Sequence, residues 1–309
     1  MKRRLSAWIR DHPAMAGLLI AGGLSAAGRA LRYVAAKRGW RLAPTLRGLA
    51  LGRGARRAIF LPRDLFAVAT QFDAIMDRLV WPEGGGTINL SGPPLRCAIA
   101  RTGDQLWIPE VGEVEDVGAC YLARWEPAPG AVVWDVGASF GELTIVLSRL
   151  VGPGGRVVAF EPDPRNLVWL ERNVREAGLT NVTLCTAGLW HETGTLSFAS
   201  TGGMDSALAH LHEKADAAKI EVPVVGWSEA CARFGAPAFV KMDIEGAELE
   251  VVRAALPSLR GSDTRFAIAS YHVREGRPTA EALEAMFQSI GYRVETGNPE
   301  HKTTWAAPK

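Results

Sequence analysis

Two short runs in this sequence gather residues whose types and spacing suit chemistry. The first is Asp135-Val136-Gly137-Ala138-Ser139-Phe140-Gly141, set between two apolar stretches. Glycines in such a turn let a ligand approach the backbone closely, at the carboxyl edge of a sheet. Glu161, in the run AFEPDP, follows at about the 20-residue spacing at which an acid binds ribose hydroxyls beside a glycine turn. The second run is Lys241-Met242-Asp243-Ile244-Glu245, closed by Gly246. Strand alternation puts Lys241, Asp243 and Glu245 on one face, with Met242 and Ile244 pointing away.

The glycine turn discriminates between ligands. A dinucleotide fingerprint reads G-x-G-x-x-G, and its middle glycine admits a pyrophosphate to the helix N-terminus. Here Ser139 stands at that middle position, and Asp135 supplies a negative charge that would repel a pyrophosphate. The same charge suits a cationic amino-acid ligand, so the loop favours S-adenosylmethionine. The cofactor set expected from these residues is Asp135, Gly137, Ala138, Ser139, Gly141 and Glu161.

The second run supplies the reacting edge. Methyl transfer from a sulfonium needs in-line approach and loss of the acceptor proton, so positioning carries much of the work. A base still helps, because a neutral alcohol is a poor nucleophile. His272 is the expected base, with Asp243 as the alternative, and Lys241 and Glu245 line the same edge. No metal site is assigned, although Asp243 with Glu245 offers the hard oxygen ligands that a divalent ion takes. His210 and His212 sit two apart with no third ligand, which reads as a solvated segment. Trp190-His191 falls where an adenine ring would border the third strand.

These residues need strand tips to hold them. After Gly130 the sequence alternates between apolar runs and helical periodicity. AVVWDV, RVVAF, NVTLCT, AFVKMD, RFAIASY and YRVET read as strands. Helices are predicted over 141–150, 164–177, 247–255 and 279–290. Such alternation predicts an α/β, doubly wound, mostly parallel sheet covered on both faces. The expected division is a basic helical N-terminal arm over 1–58, a lead-in of helix and short strands over 59–129, and a catalytic domain over 130–309. In the lead-in, 59–80 carries a helical stripe (Phe66, Ala69, Phe72 or Asp73, Ile75 or Met76, Leu79), then TINL, RCAIA and QLWIP read as short strands.

The stretch VVWDVGASFGELTIVLSRLVGPGGRVVAFEPDPRNLVWLERNV, with FVKMDIEGAELEVV later, resembles the FkbM family of methyltransferases. The resemblance covers about 130–294 and rests on the DVGA-x-x-G loop, AFEPDP and K-x-D-x-E-G-A-E. It implies a class I, Rossmann-like methyltransferase that uses S-adenosylmethionine, mostly on hydroxyl oxygens of polyketides, sugars and glycolipids. It places Asp135, Gly137, Ala138, Gly141 and Glu161 on the cofactor and Lys241, Asp243 and Glu245 at the reacting edge. The sequence departs from the family at Ser139-Phe140, where Asn and a smaller apolar residue are usual. It departs again at ASYHV, where many members carry an acid before the histidine.

The arm lies outside that resemblance. Residues 1–57 hold thirteen Lys or Arg against one acid, Asp11, while the rest holds 22 basic and 32 acidic residues. A basic arm on an acidic body points to an anionic neighbour, with a membrane surface expected and nucleic acid disfavoured by the missing N/D-P-P-Y/F loop. Residues 14–28 are uncharged, but a spanning helix needs about 20 apolar residues. A helix lying on a membrane or packed on the body fits better. Four dispersed cysteines form no CxxC pair, which argues against a zinc ribbon or disulfide framework and for reduced thiols in a cytoplasmic protein, with the basic arm adding an expected peripheral contact with the membrane. Two readings compete: a nicotinamide-dependent oxidoreductase, which would need glycine at 139 and a Tyr-x-x-x-Lys pair, and a membrane-attached binding protein that has lost activity. The intact Asp135, Glu161 and Asp243 speak against the second.

Overall fold

A computed structural model describes residues 26–45, 48–92, 94–114, 118–200, 207–208, 218–274, 276–297 and 301–309. The chain divides into two compact units, Met1–Asp116 and Val117–Lys309. Residues 26–58 of the expected arm fall in the first unit with the lead-in. The arm's described part opens on a helix, α1 (Ala26–Lys37), but continues as three strands, β1 (Arg41–Thr45), β2 (Gly48–Arg53) and β3 (Arg56–Phe60). They pair antiparallel in that order, and β2 buries Leu49 and Leu51. Alternation in β3, with Arg56 and Arg57 exposed and Ala58 and Phe60 buried, marks a half-buried sheet rather than a helix. Most of the uncharged stretch 14–28, and His210 and His212, lie outside the described residues. Among the described residues no helix is long and apolar enough to cross a membrane.

The helix expected over 59–80 is two short ones, α2 (Leu65–Thr70) and α3 (Phe72–Arg78), broken at Gln71. Their buried stripe is Leu65, Val68, Phe72, Ile75 and Met76, whereas Phe66 is 73% exposed, so the predicted stripe was one residue out of phase at its start. The three short strands appear where expected, as β4 (Gly86–Asn89), β5 (Leu95–Ala98) and β6 (Gln105–Ile108). β4 joins β3 in parallel, and β5 and β6 form a hairpin.

The second unit begins with one turn of helix, α4 (Gly118–Tyr121), and then builds the sheet that holds the site. In chain order it contains β7 (Val132–Val136), α5 (Glu142–Val151), β8 (Arg156–Phe160), α6 (Pro164–Glu176) and β9 (Val182–Cys185). There follow β10 (Gly188–Trp190), β11 (Gly194–Ser200), β12 (Ala207–Leu208), β13 (Ala218–Gly226) and α7 (Trp227–Phe234). The chain closes with β14 (Phe239–Met242), α8 (Glu248–Leu259), β15 (Arg265–Ala269), the small hairpin β16 (Val273–Arg274) and β17 (Arg277–Pro278), α9 (Ala280–Gln288), β18 (Arg293–Gly297) and β19 (Thr303–Ala307).

Seven strands form the main sheet in the order β18-β19-β15-β14-β7-β8-β9. All neighbours run parallel except at β19, which inserts antiparallel between β15 and β18. Both faces are covered. Val158 and Phe160 of β8 pack with Trp227 and Phe234 of α7, while Ala159 between them packs with Leu170 and Val174 of α6. The architecture is the doubly wound, Rossmann-like sheet that the alternation predicted. Strand order reverses between β7 and β14, the topological switch point where open α/β sheets bind ligands. Sequence reading missed β19 and a second sheet, β10-β13-β11-β12.

Candidate active site

The glycine turn sits at the switch point, and its glycines are sterically required. Gly137 has φ +77°, and a Cβ there would lie 1.8 Å from the carbonyl oxygen of Asp243. Only glycine lets β7's loop rest against the tip of β14. Gly137 and Ala138 both donate backbone N–H bonds to the Phe160 carbonyl, 3.0 Å each, which ties the loop to β8. Ser139 holds a left-handed φ of +49°, an uncommon conformation for a residue with a side chain. That conformation aims its N–H at Glu161 Oε2, 2.8 Å away. Gly141 opens α5 at φ +88°, where a Cβ would meet Leu170 Cδ1 at 2.6 Å.

Glu161 is buried at the tip of β8. Its Oε1 accepts the Asp163 N–H at 2.9 Å, and Asp163 in turn caps α6 by accepting from Arg165 N, ahead of Pro164 in the first turn. Burial raises the Glu161 carboxyl to about 7, against the pull of its two backbone donors.

Beside this loop lies a cleft lined by Gly137, Ser139, Glu161, Leu189, Phe198 and Asp243 among others. Its apolar wall comes from the second sheet, with Phe198 from β11 and Val222 and Val224 from β13. The pairing of apolar walls with a few polar groups suits a cofactor. Ser139 Oγ is buried in the cleft wall and makes no hydrogen bond to a described residue, so it can still receive a ligand. The residues present therefore fit S-adenosylmethionine: a glycine turn, an acid for the ribose and an apolar bed for the base. Trp190 and His191 do not line the cleft; Gly188 and Leu189 do.

Asp135 and Lys241 lie beneath the glycine turn. Asp135 is fully buried and does not line the cleft. Its Oδ2 accepts from Thr144 Oγ1 at 2.5 Å, and its Oδ1 lies 3.1 Å from Lys241 Nζ. Register explains the pair, since Asp135 of β7 and Lys241 of β14 are direct parallel partners. Lys241 also donates to the Gly137 carbonyl at 2.5 Å. These two residues stake the loop from beneath.

The reacting edge is built from Asp243, Glu245 and His272. Glu245 turns back at φ +57°. His272, three residues past β15, is buried, with Nε2 at 3.6 Å from Asp243 Oδ1 and 3.4 Å from Glu245 Oε1. Its Nδ1 faces Glu248 Oε1 at 3.1 Å. Burial alone would lower this imidazole, but Glu248, Glu245 and Asp243 carry it up to about 11. These carboxylates favour the protonated ring, whereas the base expected at His272 needs the neutral one. For Asp243 burial works upward, yet His272, Lys241 and the Tyr121 hydroxyl hold it below the usual carboxylate range.

Three participants went unrecognised in the sequence. Tyr121 donates its hydroxyl to Asp243 Oδ2 at 2.7 Å, and Tyr271 approaches the same carboxylate at 3.4 Å. Burial, reinforced by Asp243, raises the Tyr121 phenol well above its ordinary value, so it stays a donor. Glu248, at the start of α8, is fully buried and accepts the Ile244 N–H at 2.9 Å. It is the last residue of the K-x-D-x-E-G-A-E run, where its carboxylate fixes the loop after β14.

The methyltransferase FkbM domain matches residues 135–294, just over half of the chain. Among curated proteins, protein-L-isoaspartate O-methyltransferase of Aeropyrum pernix is 38% identical over 67 residues, 22% of this chain and 26% of that protein. This chain thus matches about a quarter of that relative's length. Among solved structures, methyltransferase FkbM from Methylobacillus flagellatus KT is 19% identical, covering 79% of this chain and 54% of that one, with a TM-score of 0.43. Precorrin-6y C5,15-methyltransferase from Geobacter metallireducens GS-15 is also 19% identical, covering 63% and 88%, with a TM-score of 0.42. With the glycine turn, the ribose acid and the reacting edge all inside the matched segment, the chain belongs to the methyltransferase FkbM domain family of S-adenosylmethionine-dependent methyltransferases.

Proposed function

We propose that this chain methylates a hydroxyl oxygen of a small molecule, such as a sugar, glycolipid or secondary metabolite. The observation that carries the reading is Asp243, an ionised carboxylate that lines the cofactor cleft while Tyr121 and Tyr271 crowd its other side. When bound, S-adenosylmethionine supplies a methyl group made electrophilic by its sulfonium. Gly137, Ser139 and Glu161 hold that cofactor, and Asp243 accepts the hydrogen bond of an incoming hydroxyl and orients its oxygen. Bound there, S-adenosylmethionine would give up its methyl and leave as the demethylated thioether, and Asp243 would receive the hydroxyl proton. His272 and Lys241 keep Asp243 ionised before the transfer begins.

The test is transfer of labelled methyl from S-adenosylmethionine to fractionated small-molecule hydroxyl acceptors, with the product bond identified by mass spectrometry and alkali treatment. An alkali-stable ether supports the proposal. A methyl ester, or methylation of nitrogen or carbon alone, overturns it.

Peripheral attachment to an anionic surface is a second, separate proposal. It rests on Arg41, Arg53, Arg56 and Arg57, all exposed in the first unit. Liposome sedimentation with and without acidic lipid tests it, and equal pelleting in both refutes it.

A further inference from the structure

The reacting edge gathers three carboxylates around one imidazole. Asp243, Glu245 and Glu248 converge on His272, and the nearby Lys241 is already paired with Asp135. His272 is more than nine-tenths buried, yet neither ring nitrogen meets hydrogen-bond geometry with a described residue. Its two nitrogens face different environments. Nδ1 points to Glu248, a carboxylate fixed by the Ile244 and Gly246 N–H groups at 2.9 and 3.3 Å. Nε2 points into the gap between Asp243 and Glu245.

We propose that Asp243, Glu245 and His272 Nε2 form a divalent-cation site. One ligand atom from each lies within 4.8 Å of the others. The separations from Nε2, 3.4 and 3.6 Å, are long for hydrogen bonds. They suit two atoms that share an ion, since ligands about 2.1 Å from one ion at open angles stand roughly 3.0–3.5 Å apart. Glu248 completes the pattern. A carboxylate 3.1 Å from the far nitrogen sets the ring direction, and the ion displaces the Nε2 proton to solvent when it binds. Two carboxylates and one imidazole favour a cation of intermediate hardness, of the Mn²⁺ type, over one held by oxygen alone.

The site deepens the proposed reading of the same edge. Asp243 belongs both to the triad and to the cleft wall, so a cation held there faces the cleft and favours an ionised acceptor oxygen. Three protein ligands leave coordination positions open for that oxygen.

The test is a titration of Mn²⁺ into the metal-free full chain, read by the loss of the free-ion electron paramagnetic resonance signal. Wild type, Glu245→Gln, His272→Gln and Glu248→Gln are compared, and calorimetry with S-adenosylmethionine reports that each variant is folded. We expect one Mn²⁺ per wild-type chain and binding weaker by roughly 10–100-fold in each variant. Paramagnetic broadening of the His272 ring signals in the wild type gives a readout that needs no variant. No stoichiometric binding up to millimolar Mn²⁺, an unbroadened His272 ring, or undiminished binding in Glu245→Gln and His272→Gln would each overturn the site. Mn²⁺ binding is measured without an acceptor. An ether product without Mn²⁺ binding therefore leaves the hydroxyl reading standing and removes the cation, and the converse result does the opposite.

Discussion

Lys241 Nζ lies 3.1 Å from Asp135 Oδ1, bridging β14 and β7 at the point where strand order reverses. Both charges are buried, so each is tolerable only in the presence of the other. Removing one leaves an uncompensated charge under the glycine turn. Lys241→Met should destabilise the protein by about 3–5 kcal/mol, and Asp135→Asn by a comparable amount. Lys241→Met with Asp135→Leu should recover part of that loss, because a buried ion pair is replaceable by apolar residues. Urea unfolding of the four proteins checks this. Full stability in Lys241→Met with lost turnover would restore Lys241 to the reacting edge.

Gly137→Ala should be damaging through shape alone. The added methyl would stand 1.8 Å from the Asp243 carbonyl, at a φ that L residues rarely adopt. The loop cannot move without breaking its bonds to the Phe160 carbonyl. We expect at least a loss of about 1–3 kcal/mol in stability and a weakened cofactor affinity in whatever folds. Thermal unfolding and calorimetry on the same preparation separate the two effects. Wild-type values in both would mean that the turn is not packed as described.

The contrast between Phe160 and Pro223 shows what local sequence reveals here. Phe160 ends a continuous apolar run, bounded by turn residues, so β8 and Glu161 at its tip were legible. Pro223 sits inside β13, opposite Thr195 of β11, and a proline argues against a strand with partners on both sides. The second sheet and the apolar wall of the cleft were therefore missed. The terminal strand β19 is five residues long, and nothing in TTWAA says that it will insert between β15 and β18. The Tyr121–Asp243 bond joins residues 122 apart, a pairing that only the folded sheet creates. His272 was found from its place after a strand. The carboxylates around its ring were not legible, because Glu248 reads in the sequence only as part of a motif.

Cofactor affinity should depend on pH through Glu161. Its carboxyl is raised from 4.5 to about 7 in the free protein, chiefly by burial. Ribose hydroxyls donate to the ionised form, so below about pH 7 binding must expel a proton. Affinity for S-adenosylmethionine should fall up to about tenfold per pH unit below 7 and level off above it. Glu161→Gln should bind more weakly, by about 1.5–3 kcal/mol, without that slope. Stability of the free protein should run the other way. The advantage of the buried neutral carboxyl is complete below about 4.5 and lost as pH rises through about 7. Calorimetry between pH 5.5 and 8.5, in buffers of different ionisation heat, measures both the slope and the proton released (the range is set by about 1.5 units either side of the group). A flat profile would separate Glu161 from the cofactor.

Asp243 should matter to turnover far more than to cofactor binding. Its carboxylate is the one acid of the reacting edge that lines the cleft, whereas Glu248 is sealed behind His272. It is also held ionised by His272 and Lys241, and oriented by the Tyr121 hydroxyl at 2.7 Å. Asn in its place keeps shape but can no longer receive a proton. Asp243→Asn should lower single-turnover transfer by roughly 10²–10⁴, the usual worth of a positioned proton acceptor. Affinity for S-adenosylmethionine should change only a few-fold, because Glu161 and the glycine turn carry it. Tyr121→Phe removes one hydrogen bond while leaving the carboxylate, so its loss should be smaller, near tenfold, the worth of about 1.4 kcal/mol. The graded pair is the discriminating feature. If Asp243 only braced the loop after β14, both variants would lose stability and affinity together, and transfer by the folded, saturated fraction would remain near wild type. If it takes the hydroxyl proton, saturating cofactor leaves the Asp243→Asn defect in place while the Tyr121→Phe defect stays modest.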